Sequence, residues 1–260
     1  MASFTTVGRP APLPHRLARA LLIAPESALI AVLLIFNVIA PSIWIGAAIS
    51  LLILIFVTRC AALHLASLAI QRARWHAADA LTTVAHLLHP WSPDALALRG
   101  IVALGHDDAD SAVVLLQRAL DLAPDRAAFA LALSSAFLER GEVHAAERAA
   151  RRALELEPAN AVGYLCLVQA LEAAGAAPET IEQHLREGLA HQSMPDAEVS
   201  LRCALARHLA HEGRIAEAAL SLSAARAMLH RCSIAQRVAM SRHIAEIEAV
   251  VRPHCEDHAA

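Results

Sequence analysis

Histidine is the residue type that most invites a chemical role in this sequence, which contains 15 of them. Two pairs, His86 with His89 and His208 with His211, are spaced so that each pair would lie on one face of a helix. Neither pair has an acidic or thiol partner at a recurring spacing, and the HExxH zinc motif does not occur. The pattern favours ordinary helix histidines, with a ligand- or metal-responsive regulatory membrane protein as the alternative.

Two other clusters contain possible metal ligands. Residues 106–110 read HDDAD, but they fall between two predicted helices, where aspartate typically caps the second helix. His254, Cys255 and His258 lie in a C-terminal tail that cannot preorganise a site. No GxSxG, P-loop, GxGxxG or paired-carboxylate arrangement occurs in the sequence. We therefore predict no catalytic, cofactor-binding or metal site, and a chain that is not an enzyme.

The five cysteines are scattered and include no CxxC pair. Several occupy small-residue positions of predicted helices, so they are expected to be small buried hydrophobic residues in a reducing compartment. The cysteines are Cys60, Cys166, Cys203, Cys232 and Cys255.

Composition and charge point to a membrane. The chain is 57% hydrophobic with a mean hydropathy of +0.46, and all of its 22 basic residues are arginines. Residues 1–80 contain six arginines against only Glu26 and Asp79, although the whole chain has a formal net charge of −3. A basic first part favours a membrane surface, while the acidic remainder argues against a nucleic-acid partner.

The stretch Ser27–Thr58 carries no charged residue, which predicts a transmembrane region over about 20–58. One helix over that stretch would be roughly 48 Å long, well above the ~30 Å hydrocarbon core. Pro41 and Trp44 near its middle favour a hairpin of two spans, about 22–39 and 42–58. A single tilted or kinked span is the alternative, and Pro41 makes a cleaved signal peptide unfavourable.

Arginines flank both ends of this region, after a Pro-rich, basic and disordered tail over residues 1–19. Positive charge on both sides of a hairpin predicts a multi-pass protein of a bacterial-type inner membrane, with both ends in the cytoplasm. A single span would instead place the C-terminal part opposite to the tail. The flanking residues are Arg9, Arg16 and Arg19 before the region, and Arg59, Arg72 and Arg74 after it.

A period of 34 residues follows the apolar region. Pro90, Pro124 and Pro158 mark it, and small residues recur where two helices of a repeat would touch. Gly141 falls in a predicted inter-helix turn, where a left-handed backbone favours glycine. The recurring small residues are Ala66, Ala78 and Ala85, then Gly100, Ala112 and Ala119, then Ser134, Ala146 and Ala153, and later Ala206, Ala218 and Ala225.

In spacing and residue type these repeats resemble the tetratricopeptide (TPR) family. The resemblance implies an α-solenoid of about four to five helix pairs, so that together with the predicted transmembrane hairpin the protein is expected to be all-α. A degenerate first repeat is expected over 59–92, so that the second span runs nearly straight into its first helix. The array would cover 93–232, a capping helix 233–252 with Ser233 as its N-cap, and a frayed tail 253–260.

The resemblance also implies a binding scaffold whose concave face is lined by the first helix of each repeat. Lysine and asparagine, which in one branch of the family clamp a terminal carboxylate, are missing from the corresponding positions. An apolar trough edged by acidic residues suits an amphipathic helix with Arg or Lys at its edges, unless the chain's own segment covers the trough. The expected groove residues are Asp94, Ala97, Ile101, Leu104, Leu131, Ser135, Leu138, Glu139, Leu165, Gln169 and Glu172.

The order of membrane spans and repeats is similar to that of the inner-membrane TPR subunit of Pel-type exopolysaccharide export, and of haem-biosynthesis-associated membrane TPR proteins. The sequence therefore predicts a membrane-anchored scaffold that recruits a protein, such as another membrane-complex subunit, on the cytoplasmic face.

Overall fold

The computed structural model describes residues 42–191, 194–232 and 234–257, preceded by residues 29, 30, 32–35 and 38. Helices and turns make up these residues, and none of them lies in a β-strand. The predicted tail 1–19 and most of the predicted first span, 22–39, lie outside the described residues, as do Ser233 and residues 258–260.

From residue 42 onward, the described chain forms eleven α-helices, and a short 3-10 turn, Leu229–Arg231, follows the tenth. The helices are α1 (Ile43–Gln71), α2 (Trp75–Leu88), α3 (Pro93–Gly105), α4 (Ala109–Leu122), α5 (Ala127–Glu139), α6 (Val143–Leu156), α7 (Ala161–Ala173), α8 (Pro178–Ala190), α9 (Pro195–His211), α10 (Ile215–Met228) and α11 (Ile234–Asp257).

The chain divides into two compact units. The first comprises the residues up to Asp108 together with Asp121–Ala123, and the second comprises Ala109–Leu120 together with the residues from Pro124 onward. In the first unit, α1, α2 and α3 pack against one another. In the second unit, α6 packs against α5 and α7, α8 against α7 and α9, and α10 against α9 and α11.

Helix α1 is unbroken from the apolar stretch into the first helix pair. Its N-terminal residue follows Ser42, whose hydroxyl accepts a hydrogen bond from the Trp44 backbone N–H at 3.3 Å. It contains 29 residues and, among the described residues, is the helix that is long and apolar enough to cross a membrane by length and composition. After Arg59 the same helix packs on α2, with Ala62 beside Ala85 and Ala69 beside Ala78.

Small residues fill the helix contacts, as the sequence predicted. Ser134 and Ala146 have no exposed surface, and the Ser134 hydroxyl donates a 2.9 Å hydrogen bond to the Ala146 carbonyl across the α5–α6 contact. Because the hydroxyl is buried, this bond satisfies a group that would otherwise be costly to remove from water. The other predicted small residues without exposed surface are Ala66, Ala78, Ala85, Ala112, Ala119, Ala153, Ala206, Ala218 and Ala225.

The turns within the pairs use a left-handed residue at a repeating position. Gly141, Gly175 and Gly213 have φ angles of 76°, 68° and 75°, as expected for glycine in such turns. Ala73 and Asp107 take the same conformation, with φ angles of 52° and 61°. Asp107 lies in the turn where aspartate was expected to cap the next helix. It takes the left-handed conformation that glycine takes in the later turns.

The C-terminal helix is longer than the sequence suggested. A frayed tail was expected to begin at residue 253, but α11 continues to Asp257. Pro253 removes one donor from this helix. The following N–H groups can still bond to carbonyls of the preceding turn, so the helix continues beyond it.

The two adjacent alanines Ala218 and Ala219 of α10 test this packing. Ala218 has no exposed surface and Ala219 is exposed, so Ala218→Leu should cost about 1–3 kcal/mol through overpacking. Ala219→Leu, the matched control, should leave stability within roughly 0.5 kcal/mol of the original. Thermal melting in mild detergent would measure both changes. Equal melting temperatures for the two variants would contradict the assigned helix register.

Candidate interaction groove

The first helices of successive pairs form one face of the second unit. Helix α5 contacts α7, α7 contacts α9, and α9 contacts α11. The second helices α6, α8 and α10 each pack against two of these first helices. The face therefore presents side chains from helices of separate repeats side by side, which is the arrangement that an extended binding surface requires.

A cleft of about 410 Å³ opens between α7, α9 and α11 on this face. Leu165 and Met240 supply apolar surface, Val168 lies buried beneath it, and Gln169 and Arg207 supply polar groups. An apolar interior with a few polar groups is typical of a recognition site. The full lining is Leu165, Val168, Gln169, Ser200, Ala204, Arg207, Ala239, Met240 and His243.

The groove residues predicted on α7 lie at or beside this cleft. Leu165 is half-buried and Gln169 is exposed, and both line the cleft itself. Glu172 is also exposed but lines a neighbouring depression of about 390 Å³, with His208 and His211.

The residues predicted on α5 differ in exposure. Ser135 and Leu138 are half-buried, and Glu139 is exposed. Leu131 is only 8% exposed and belongs to the core of the second unit. It was predicted to line the groove, but its side chain offers almost no surface to a partner. A closely packed row of first helices buries side chains that a single helix would leave on its surface.

The four groove residues predicted on α3 belong to the first unit. Asp94, Ile101 and Leu104 are half-buried. Ala97 is 3% exposed, so it is a core residue rather than a surface one, contrary to the expectation.

The residues that α9 and α11 contribute to the cleft were missed from the sequence. Ser200 lies six residues before the small residue Ala206 and Arg207 one residue after it. Asp94 and Ile101 have the same spacing around Gly100, and that spacing was the available signal. The 38-residue spacing between Gly175 and Gly213 obscured it. Residues of α11 were interpreted only as a cap, and the repeat pattern gives no position for them.

Ionic contacts modify the predicted acidic edge. Glu172 lies 3.9 Å from Arg207, and both side chains are partly exposed. His243 Nδ1 lies 3.6 Å from a carboxylate oxygen of Glu246. The cleft is therefore bordered by groups of both signs, and exposed pairs of this kind contribute little to stability.

A stronger ionic cluster links α8 to the start of α10. Arg214 donates hydrogen bonds to Glu217 at 2.7 Å and to Glu182 at 2.8 Å, and Arg186 lies 2.6 Å from Glu182. Hydrogen bonds to Glu217 and then Glu182 raise the pKa of Arg214. The cluster connects neighbouring repeats, and none of its residues lines the cleft.

Burial keeps Cys166 and Cys203 as neutral thiols. Desolvation raises the pKa of Cys203 to about 11, and it also raises the pKa of Cys166 despite a hydrogen bond with Ser135. Cys166, Cys203 and Cys232 are free and buried, while Cys60 is exposed. The three buried thiols thus behave as the small hydrophobic residues that the sequence predicted.

The described histidines do not lie in a cluster of possible metal ligands. Among the residues that the structure describes, no group of three or more His, Cys, Asp or Glu side chains is placed to hold a metal ion. His208 is buried, and its Nε2 lies 3.1 Å from the Pro178 carbonyl oxygen. That contact ties α9 to the start of α8.

Comparison with known proteins defines the class of fold. Among solved structures, the chain is similar to TTC0263, a thermophilic TPR protein of Thermus thermophilus, with 20% identity and a TM-score of 0.60 over 72% of this chain and 99% of that one. It is also similar to Pseudomonas aeruginosa pilF, with 16% identity and a TM-score of 0.57 over 77% and 90% of the two chains.

A third similar structure is MamA from Desulfovibrio magneticus, with 15% identity and a TM-score of 0.52 over 67% of this chain and 96% of that one. No model of a protein family matches the sequence, and no curated protein matches it. The structural similarities confirm the all-α tetratricopeptide fold that the repeats predicted.

Acid should weaken the link between Glu217 and Arg214. The hydrogen bonds from Arg214 lower the pKa of Glu217 from its ordinary 4.5. A carboxyl whose pKa is lowered by folding stabilises the folded state above the unfolded pKa, and this contribution disappears as the pH falls through the folded pKa. Glu217→Gln should therefore slightly lower the melting temperature at pH 7, and the difference should vanish as the pH falls below 4.5.

Glu139→Gln provides the control, because Glu139 is an exposed carboxylate on α5. Its melting temperature should follow that of the original protein across the same pH range. A Glu217→Gln difference that persists unchanged into acid would show that the ion pair does not cause it.

Proposed function

We propose that this chain is a membrane-anchored TPR scaffold that binds a protein partner in the cleft of α7, α9 and α11. The observation that carries the proposal is the convergence of three successive inner helices on one cleft, with Leu165 and Met240 as apolar surface and Gln169 and Arg207 at its edges. An amphipathic helix with its apolar side turned inward suits such a surface.

The charges around the inner face suggest the character of the partner. Glu139 and Glu172 are exposed, and they favour Arg or Lys along the edges of the bound helix. Arg207, 3.9 Å from Glu172, adds a donor for an acidic or amide group on the same helix. The partner is thus a protein segment of mixed charge rather than a nucleic acid.

Helix α1 supports membrane anchoring. Ile43, Trp44, Leu51, Leu54 and Val57 are each more than half exposed, although they are apolar. At 1.5 Å per residue this helix is roughly 44 Å long, enough to cross the ~30 Å hydrocarbon core and continue beyond it. Exposed apolar surface of this extent along a helix needs a lipid or protein cover.

The proposed topology has two spans, about 22–39 and 42–58, and places the repeats in the cytoplasm of a bacterial-type cell. The arginines on both flanks of the charge-free region support it, since positive residues are retained on the cytoplasmic side. The similarity of this order to the inner-membrane TPR subunit of Pel-type export supports a role within a polysaccharide export complex or another inner-membrane complex.

Site-specific photo-crosslinking in intact cells tests the cleft. A photoreactive residue replaces Gln169 in the cleft or, as the matched control, the exposed Gln183 on α8, the second helix of the same pair. We expect a protein adduct from position 169 and none from position 183. Adding Arg207→Glu should remove the adduct at position 169, because the reversed charge opposes the partner and lies beside Glu172.

Each result has a definite meaning once circular dichroism shows that the variants are folded. Equal adducts from positions 169 and 183, or adducts from position 183 alone, would contradict the cleft as the binding surface. Adducts at position 169 that persist in the Arg207→Glu variant would contradict the proposed role of Arg207 in binding the partner.

A further inference from the structure

Three exposed apolar side chains cluster at the end of α2 and in the turn that follows it. Leu87 is 74% exposed, Trp91 68% and Val84 42%. Val84 and Leu87 lie three residues apart and therefore share one face of α2. We name Val84, Leu87 and Trp91 the α2 foot.

The repeat pattern itself does not require apolar residues at these positions. One period later the same positions hold Arg118, Asp121 and Asp125, and two periods later they hold Arg152, Glu155 and Ala159. Each of these six residues is exposed. The first repeat thus replaces a predominantly charged surface with an apolar one, which indicates a contact that the later repeats do not make.

The position of the α2 foot along α1 indicates what covers it. Helices α1 and α2 are antiparallel, because Ala69 packs beside Ala78 and Ala62 beside Ala85. Continuing this pairing to the end of α2 places Leu87 level with Cys60, and Trp91 follows in the turn directly after α2. The α2 foot therefore lies at the level of α1 where the charge-free stretch ends, at Thr58 and Arg59.

We propose that the α2 foot rests in the interface of the lipid bilayer, as a membrane contact additional to the α1 anchor. The proposal depends on the proposed anchoring by α1, which sets the membrane level. Tryptophan is enriched at membrane interfaces, where its ring lies among the headgroups, and Leu87 and Val84 add apolar surface beside it.

This contact gives the first helix pair two attachments to the membrane. A helix anchored only by its span is free to change its tilt within the limits set by its neighbours and interfacial residues. An α1–α2 hairpin with lipid contacts on both of its helices has its tilt and rotation fixed relative to the membrane surface. Val84→Glu or Leu87→Glu would remove this restraint without altering the span.

Tryptophan fluorescence can locate the α2 foot directly, because the chain contains three tryptophans. Three single-tryptophan forms of the full chain, with the others changed to Phe, retain Trp44, Trp75 or Trp91. Each is reconstituted in phosphatidylcholine vesicles with or without brominated acyl chains. Trp75 is the control, because it begins α2 and lies about 20 Å along the axis from the opposite end of the 14-residue helix.

We expect brominated lipid to remove most of the emission of Trp91 and of Trp44 but little of the emission of Trp75. Quenching of Trp44 without quenching of Trp91 would overturn the α2 foot while leaving the α1 anchor in place. If vesicle flotation and Trp44 quenching both fail, anchoring by α1 is overturned, and the α2 foot with it. Equal quenching of Trp75 and Trp91 would also overturn the proposal, because the whole hairpin would then lie on the lipid.

Discussion

The close contact between small residues at fixed positions is the interaction on which the rest of this molecule depends. Ala78 and Ala85 on α2, like Ala146 and Ala153 on α6, have no exposed surface. A side chain of one carbon lets two helices approach closely, and the larger leucines around them then fill the core without voids. The left-handed turns, the side-by-side first helices and the cleft between α7, α9 and α11 all require this close approach.

Much of the fold could be predicted because its constraints recur at a readable period. The positions of Gly141 and Ala146 accept few other residue types. The spacing of such residues along the sequence therefore indicates where the turns and helix contacts lie. The groove could be predicted only in part. Leu131 lies in the core because its surroundings come from neighbouring helices, and Met240 joins the cleft from a helix outside the repeat pattern. Neither placement can be predicted from the residues that are adjacent in the sequence.

Helix α1 links the repeats to the proposed membrane function. Before Arg59 its exposed residues are uncharged and, apart from Ser50 and Thr58, apolar, while after Arg59 it packs through alanines against α2. No turn separates these two parts, so the backbone that would cross the membrane also forms the first helix of the first pair. A helix of this kind transmits position and orientation to that pair, which a flexible linker cannot do.

The continuity of α1 is tested most directly by hydrogen exchange of the full chain in lipid nanodiscs, followed by mass spectrometry. The unbroken helix predicts slow amide exchange throughout residues 54–66, protected by lipid on one side of Arg59 and by packing on α2 on the other. Fast exchange confined to residues 57–61, between two slow segments, would contradict it. The membrane segment and the repeats would then be separate parts joined by a hinge.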